Sequence, residues 1–193
     1  FQKLEDLRIG VDKEAVAYQK FIKAEQDCAV TNQAYRALAS GSFCLEPDVH
    51  GVLHHAQRKI ARILGDVPAF ESLPFAFGPG ANTSVKATRA TPRFKLGATL
   101  ECSTNLLGSA AALLAEAPPW LMLHASETSE AYHVDINIVP GKLQFVPKNA
   151  KTFRSIIVEP ILNSFAQKGV GTYIRGRLAS AGLDIKTQQV KNR

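Results

Sequence analysis

Strand-type alternation first appears in this chain at residue 132. There Tyr132, Val134, Ile136 and Ile138 alternate with His133, Asp135 and Asn137, the period of a half-buried strand. Val139-Pro140-Gly141-Lys142 is turn chemistry, so Leu143 to Val146 is expected to return as the second arm of a hairpin. Ser155 to Val158 supplies a third strand. Everything earlier carries helical or turn patterns. The order is helices, then hairpin, basic loop, strand and helix, which reads as an α+β chain with a mainly helical N-terminal part.

The helical segments carry their own punctuation. Residues 11–40 are rich in Ala, Lys, Glu and Gln and stop at Gly41. Asp48 can cap a second helix with a stripe of Val49, Leu53, Ala56, Ile60 and Ile63, and Gly65 supplies its C′ position. Pro68 and Pro74 then break the chain before a turn-rich loop, Phe75 to Ser84. A basic, Thr-rich stretch follows with Lys86, Arg89, Arg93 and Lys95. Residues 109–117 form a short Ala/Leu helix ended by Pro118-Pro119. Pro160 opens a last helix with apolar positions Ile161, Leu162, Phe165, Ile174, Leu178 and Ala181, closed by Gly182. Two regions follow from this organisation: a helical part over 1–85 and a second part over 86–193 that contains a basic loop at 145–158.

With 46% hydrophobic and 21% charged residues over 193 positions, the chain can bury a core, and disordered, collagenous and coiled-coil classes are excluded. No run of about 18 apolar residues offers a membrane span. The opening Phe1-Gln2-Lys3-Leu4 has neither Met nor an apolar signal core, which reads as a piece of a longer reading frame without a secretory leader. Cys28, Cys44 and Cys102 are odd in number and widely spaced, as expected of free thiols in a reducing compartment. The net charge of +6 is unevenly placed. Residues 1–85 and 86–140 each carry −1, whereas 141–193 hold 10 Lys and Arg against Glu159 and Asp184, a balance of +8. Positive charge gathered at one end points to a polyanionic partner.

Most of the short motifs have ordinary explanations. His50 and His54, with His55 beside them, stand at metal-ligand spacing. Arg58 and Arg62 follow on the same face, however, and oppose a bound cation; a metal-dependent enzyme built on the three histidines is the weakest of the readings. Gly171 to Leu178 imitates a phosphate loop, but Arg177 and Leu178 replace its Lys and Ser or Thr, and it falls inside the last predicted helix. Gly78-Pro79-Gly80 supplies two glycines of a dinucleotide fingerprint, with Thr83 where the third belongs. Both are chance matches. Lys148, Lys151 and Arg154 differ: they recur every three residues between two apolar strands that pin the loop. Such cations suit a triphosphate or an RNA backbone.

The string that contains them is also recognisable. Phe145-Val146-Pro147-Lys148-Asn149-Ala150-Lys151-Thr152-Phe153-Arg154 leads into Val158-Glu159-Pro160, then Asn163, Gln167-Lys168-Gly169-Val170-Gly171, Ile174-Arg175, Arg177-Leu178, Gly182-Leu183-Asp184-Ile185 and Gln188-Gln189. This closely resembles the replicase of single-stranded RNA phages, the leviviruses. Phe77-Gly78-Pro79-Gly80-Ala81 with Thr83 is similar to that family's glycine-rich fingers loop. The likeness is dense over 141–193, patchy over 70–100 and weak before that.

The resemblance implies the N-terminal and fingers portion of a right-hand RNA-dependent RNA polymerase. By position, Lys148, Lys151 and Arg154 would contact the triphosphate of the incoming nucleotide or the template, with Arg154 foremost because a guanidinium grips phosphate bidentately. Lys86, Arg89, Arg93, Arg175 and Arg177 are the expected RNA-binding cations. None of the seven aspartates forms a D-x4-D pair and no Gly-Asp-Asp occurs, so the family's Mg2+ would be bound by palm aspartates outside this segment, and no catalytic residue is assigned here. Template RNA and NTPs are the implied partners, with host translation elongation factors Tu and Ts, in the cytoplasm of an infected bacterium and without a membrane. The alternative from another class is a stand-alone basic RNA-binding protein without catalysis.

Overall fold

A computed structural model of the chain describes residues 10–127 and 132–187. The predicted Gln188-Gln189 pair lies outside them. The chain forms two compact units that interleave along the sequence: residues 1–58 with 143–157, and residues 59–142 with 158–193.

The first unit opens with α1 (Lys13–Ala39). Asp12 caps it, its Oδ1 accepting from the backbone N–H groups of Glu14 and Ala15 at 3.0 Å. Apolar residues are spread around α1, and among its described residues only Ala17 is buried. Gly41 ends the segment at φ +71°, a left-handed value that glycine adopts without steric cost. α2 (Pro47–Leu64) follows, belonging to this unit up to Arg58 and to the second unit from Lys59; it starts at Pro47, so Asp48 stands in its first turn rather than capping it as the sequence suggests. Its predicted apolar stripe exists, but Val49 and Ile60 remain exposed and no residue of α2 is buried. Gly65 (φ +72°) ends it as expected. The unit is completed by β5 (Lys142–Pro147) and β6 (Phe153–Val158), which pair with each other.

The second unit holds the main core. α3 (Pro92–Leu96) precedes the two-residue β1 (Glu101–Cys102), and α4 (Leu107–Ala115) is followed by α5 (Pro118–His124). Pro118-Pro119 therefore both ends one helix and begins the next, since proline's fixed φ and missing N–H suit a first helical turn. Next come β2 (Ala125–Glu127), β3 (Tyr132–Val134), β4 (Asn137–Ile138) and α6 (Ile161–Ser180). Leu100, Cys102, Ala110, Leu113, Leu114, Trp120, Ile161, Leu162 and Phe165 form one buried cluster. Phe77, Trp120 and Phe165 meet within it at ring separations of 4.8–5.1 Å, edge-on or tilted as aromatic quadrupoles prefer. Removing Phe165 would cost about 3–5 kcal/mol on the usual scale for a buried aromatic. Among the described residues, no single helix is long and apolar enough to cross a membrane.

The predicted hairpin between residues 132–138 and 143–146 does not form. The alternating segment is divided instead. β3 runs antiparallel to β2, with Ser126 opposite His133, while β4 runs parallel to β1, with Cys102 opposite Ile138. Val134 and Ile136 pack against the core cluster at the break. β5 finds its partner in β6 because the short connection between them, residues 148–152, closes on itself around Asn149.

Candidate nucleic-acid interface

The basic loop is the tip of the β5–β6 hairpin, and Asn149 folds it. Its Oδ1 accepts from the backbone N–H of Lys151 and of Thr152, both at 3.0 Å. Its own N–H donates to the Thr152 carbonyl at 3.3 Å. This is the local side-chain turn that makes asparagine common in loops. Ala150 and Thr152 are each only 6% exposed, so the small residues face inward and Lys148 and Lys151 face solvent. Arg154 is the second residue of β6 and is also exposed. Among the described residues no carboxylate pairs with any of the three. The every-third-residue spacing thus becomes three outward cations on one closed hairpin.

In the second unit, the glycine-rich loop is fastened from below. By sequence, Lys95 belongs with Lys86, Arg89 and Arg93 in a basic stretch. It is instead 3% exposed, and its Nζ donates to the carbonyls of Gly78 and Gly80, the latter at 2.6 Å. Burial lowers its pKa, because desolvation penalises the ammonium. Buried Asn82 holds the next turn, its Oδ1 accepting from the N–H groups of Ser84 (3.0 Å) and Val85 (2.8 Å). The Thr83 and Ser84 hydroxyls both donate to the Glu101 carboxylate, Ser84 at 2.7 Å. Above these anchors a Cβ at Gly78 or Gly80 would meet nothing within 4 Å. Lys86, Arg89 and Arg93 are exposed just beyond the loop, the Arg89 guanidinium 5.6 Å from the centre of the Phe94 ring.

The two predicted arginines of α6 part company. Helical residues two apart point to roughly opposite sides. Arg175 is exposed, with its NH2 on the Thr172 hydroxyl at 3.1 Å. Arg177 is half-buried and its Nε donates to the Ile63 carbonyl at 2.9 Å. Tyr173, one turn earlier, donates from its hydroxyl to the Leu64 carbonyl at 2.8 Å. Together they satisfy the last two carbonyls of α2, those of Ile63 and Leu64, where a positive group also favours the negative end of the helix dipole. The imitation phosphate loop lies wholly within α6 and has no loop geometry.

His50, His54 and His55 are exposed on α2. Among the described residues no group of three or more His, Cys, Asp or Glu is placed to hold a metal ion. Asp184 is engaged locally, and its pKa is lowered chiefly by the Thr187 hydroxyl, then by the Lys186 backbone N–H.

The chain is thus a basic α+β protein that carries a closed hairpin tip with three exposed cations and a fastened glycine loop. The family description "RNA replicase, beta-chain" matches residues 1–193, so the likeness extends well beyond its dense C-terminal block. The chain is 35% identical to the RNA-directed RNA polymerase subunit beta of Escherichia virus Qbeta, over 99% of the chain and 31% of that protein. It is 32% identical to the corresponding subunit of Qbeta virus strain MX1, over 97% of the chain and 30% of the relative. It is also 32% identical to the RNA-directed RNA polymerase beta chain of Escherichia phage MS2, over 79% of the chain and 27% of the relative. This chain belongs to the RNA replicase beta-chain family of RNA phages. It spans about a third of the length of these relatives.

Proposed function

We propose that this chain is the fingers portion of a right-hand RNA-directed RNA polymerase and grips the incoming nucleotide and the template RNA. The observation that carries the reading is the β5–β6 tip: Asn149 closes it, Ala150 and Thr152 anchor it, and Lys148, Lys151 and Arg154 project from it unpaired by any described carboxylate. Nucleotidyl transfer concentrates negative charge on the reacting phosphates, and prepositioned cations stabilise that charge without reorganising. Arg154 would hold phosphate oxygens through two N–H groups, while Lys148 and Lys151 act as point charges. The open backbone at Gly78 and Gly80, with Lys86, Arg89 and Arg93 beside it, would follow the template strand. In this reading the Mg2+ ions would be bound by palm aspartates outside this segment, and this chain would supply the phosphate-gripping half of the reaction. Assembly with elongation factors Tu and Ts, in the cytoplasm of an infected bacterium, is part of the same reading by family resemblance.

A stand-alone RNA-binding protein is the competing reading, favoured by the +8 balance of residues 141–193. Binding of single-stranded RNA and of a nucleoside triphosphate to the chain separates the two. The polymerase reading expects both, with triphosphate binding weakened by Arg154→Ala. RNA binding with no measurable triphosphate binding would favour the binding module.

A further inference from the structure

A second cationic feature involves none of the hairpin residues. Within the second unit, the last turns of α2 and α6 border a cavity of about 320 Å³ lined by Lys59, Arg62, Ile63, Arg177, Ser180 and Ala181. Three of its six lining residues are cations, one is a hydroxyl, and none is acidic. We propose that this cavity is a phosphate-binding site, taking a phosphate group of an RNA strand as it passes the end of α2. The inference rests on the proposed RNA-gripping role and deepens it by adding a site on different residues.

Three observations support it. The Arg177 guanidinium is prepositioned: its Nε is committed to the Ile63 carbonyl, and its NH2 lies so close to Gly65 that a Cβ there would fall 2.9 Å away. Gly65 is required by its φ of +72°, and its missing side chain leaves room for the guanidinium beside it. Next, Lys59 and Arg62 have no hydrogen-bond or carboxylate partner among the described residues. The Ile63 and Leu64 carbonyls at the end of α2 are served by Arg177 and Tyr173, and no bond of Lys59 or Arg62 to a helix-end carbonyl is found among the described residues. Finally, the lining contains no aromatic ring on which a base could stack. A backbone phosphate, which needs charge and N–H donors but no stacking platform, fits better than a nucleobase.

The test is equilibrium binding of a short single-stranded RNA to the 193-residue chain across a series of salt concentrations. The parent is compared with Arg62→Gln and with Lys59→Gln/Arg62→Gln. Glutamine keeps the helix propensity and removes no hydrogen bond found among the described residues, and thermal unfolding of each variant confirms that it is folded. The double variant should bind RNA about tenfold more weakly at low salt, with the slope of log affinity against log salt shallower by roughly 0.7–1.4. Lys20→Gln, on α1, should leave the slope unchanged. ATP binding by the same proteins identifies the source of the phosphate. Loss of RNA affinity with ATP affinity retained assigns the site to RNA backbone, whereas loss of ATP affinity alone assigns it to free triphosphate and overturns the RNA assignment. An unchanged slope and unchanged affinities for both ligands overturn the site altogether. Hairpin variants such as Arg154→Ala report on the other surface, so failure here does not count against the polymerase reading.

Discussion

Asn163 and Ser103 hold each other through two hydrogen bonds across 60 positions of sequence. The Ser103 N–H donates to Asn163 Oδ1 at 2.9 Å, and Asn163 Nδ2 donates to Ser103 Oγ at 2.8 Å. The backbone N–H can only donate, so it fixes which way the amide faces. The pair fastens the first turn of α6 to the residue that follows β1. Asn163→Leu should therefore destabilise the chain by about 2–3 kcal/mol, the loss of two bonds plus a stranded N–H. Asn163→Asp keeps the acceptor and should cost less. Denaturant unfolding reads both; a neutral Leu variant would show that the pair contributes nothing.

Two glycines of one motif should respond oppositely to alanine. A Cβ on Gly169 would lie 2.4 Å from Cδ1 of Phe75. That ring cannot give way easily, because Phe70 and Phe165 pack on it at 5.0 and 5.7 Å. A Cβ on Gly171 would meet nothing within 4 Å. Gly169→Ala should cost about 1–3 kcal/mol as overpacking, while Gly171→Ala should gain about 0.5–1 kcal/mol from helix propensity. Thermal unfolding of the two variants gives the comparison, and equal shifts would contradict it.

Lys95 should leave a signature at alkaline pH. Its folded pKa lies below the ordinary 10.5, so the unfolded chain holds this proton more tightly. Between the folded pKa and 10.5 unfolding takes up a proton, and stability contributed by Lys95 rises with pH. It is complete above 10.5 and lost as pH falls through the folded value. A neutral amine can still donate to the Gly78 and Gly80 carbonyls. Relative to Lys95→Met, the parent should gain stability over that window. A pH-independent difference between the two proteins would mean that Lys95 titrates alike in both states.

Arg154→Ala, placed in a polymerase that carries this segment, should depress nucleotide incorporation far more than RNA affinity. Losing one prepositioned charge interaction with a reacting phosphate costs about 3–4 kcal/mol, or roughly a hundred- to a thousand-fold in rate. Removing a single cation from a broad RNA footprint costs much less, because the remaining cations still hold the strand. Lys151→Ala should act in the same direction more mildly, since an ammonium makes a smaller geometric demand. Single-nucleotide incorporation at saturating template, beside a separate RNA titration, measures both. Incorporation at the parent rate would reduce the hairpin tip to a solvated connection.

Local chemistry is legible in the sequence wherever neighbouring residues settle it. Gly41, Gly65, Pro160 and Gly182 mark helix ends because left-handed turns and missing N–H groups act within a few residues, whereas the Asp12 cap is seen only in the structure. The family likeness is legible too, because a long ordered string is matched position by position. Pairing is not. The alternation at 132–138 specifies a strand but not its partner, and only the fold divides it between β2 and β1, where Val134 and Ile136 reach the core. Nor can spacing distinguish Lys95 from Arg93, or Arg177 from Arg175. Each pair is two residues apart on a helix, so one member faces inward and the other outward, and which is which depends on what packs there. Residue order alone is enough for the long helices and the cationic inventory, but not for the short helices α3 and α5 or for the N-terminal caps of α1 and α2. Which cations are committed to backbone carbonyls, and which stay exposed, is settled only by the folded chain, because burial and partners are set by segments distant in sequence.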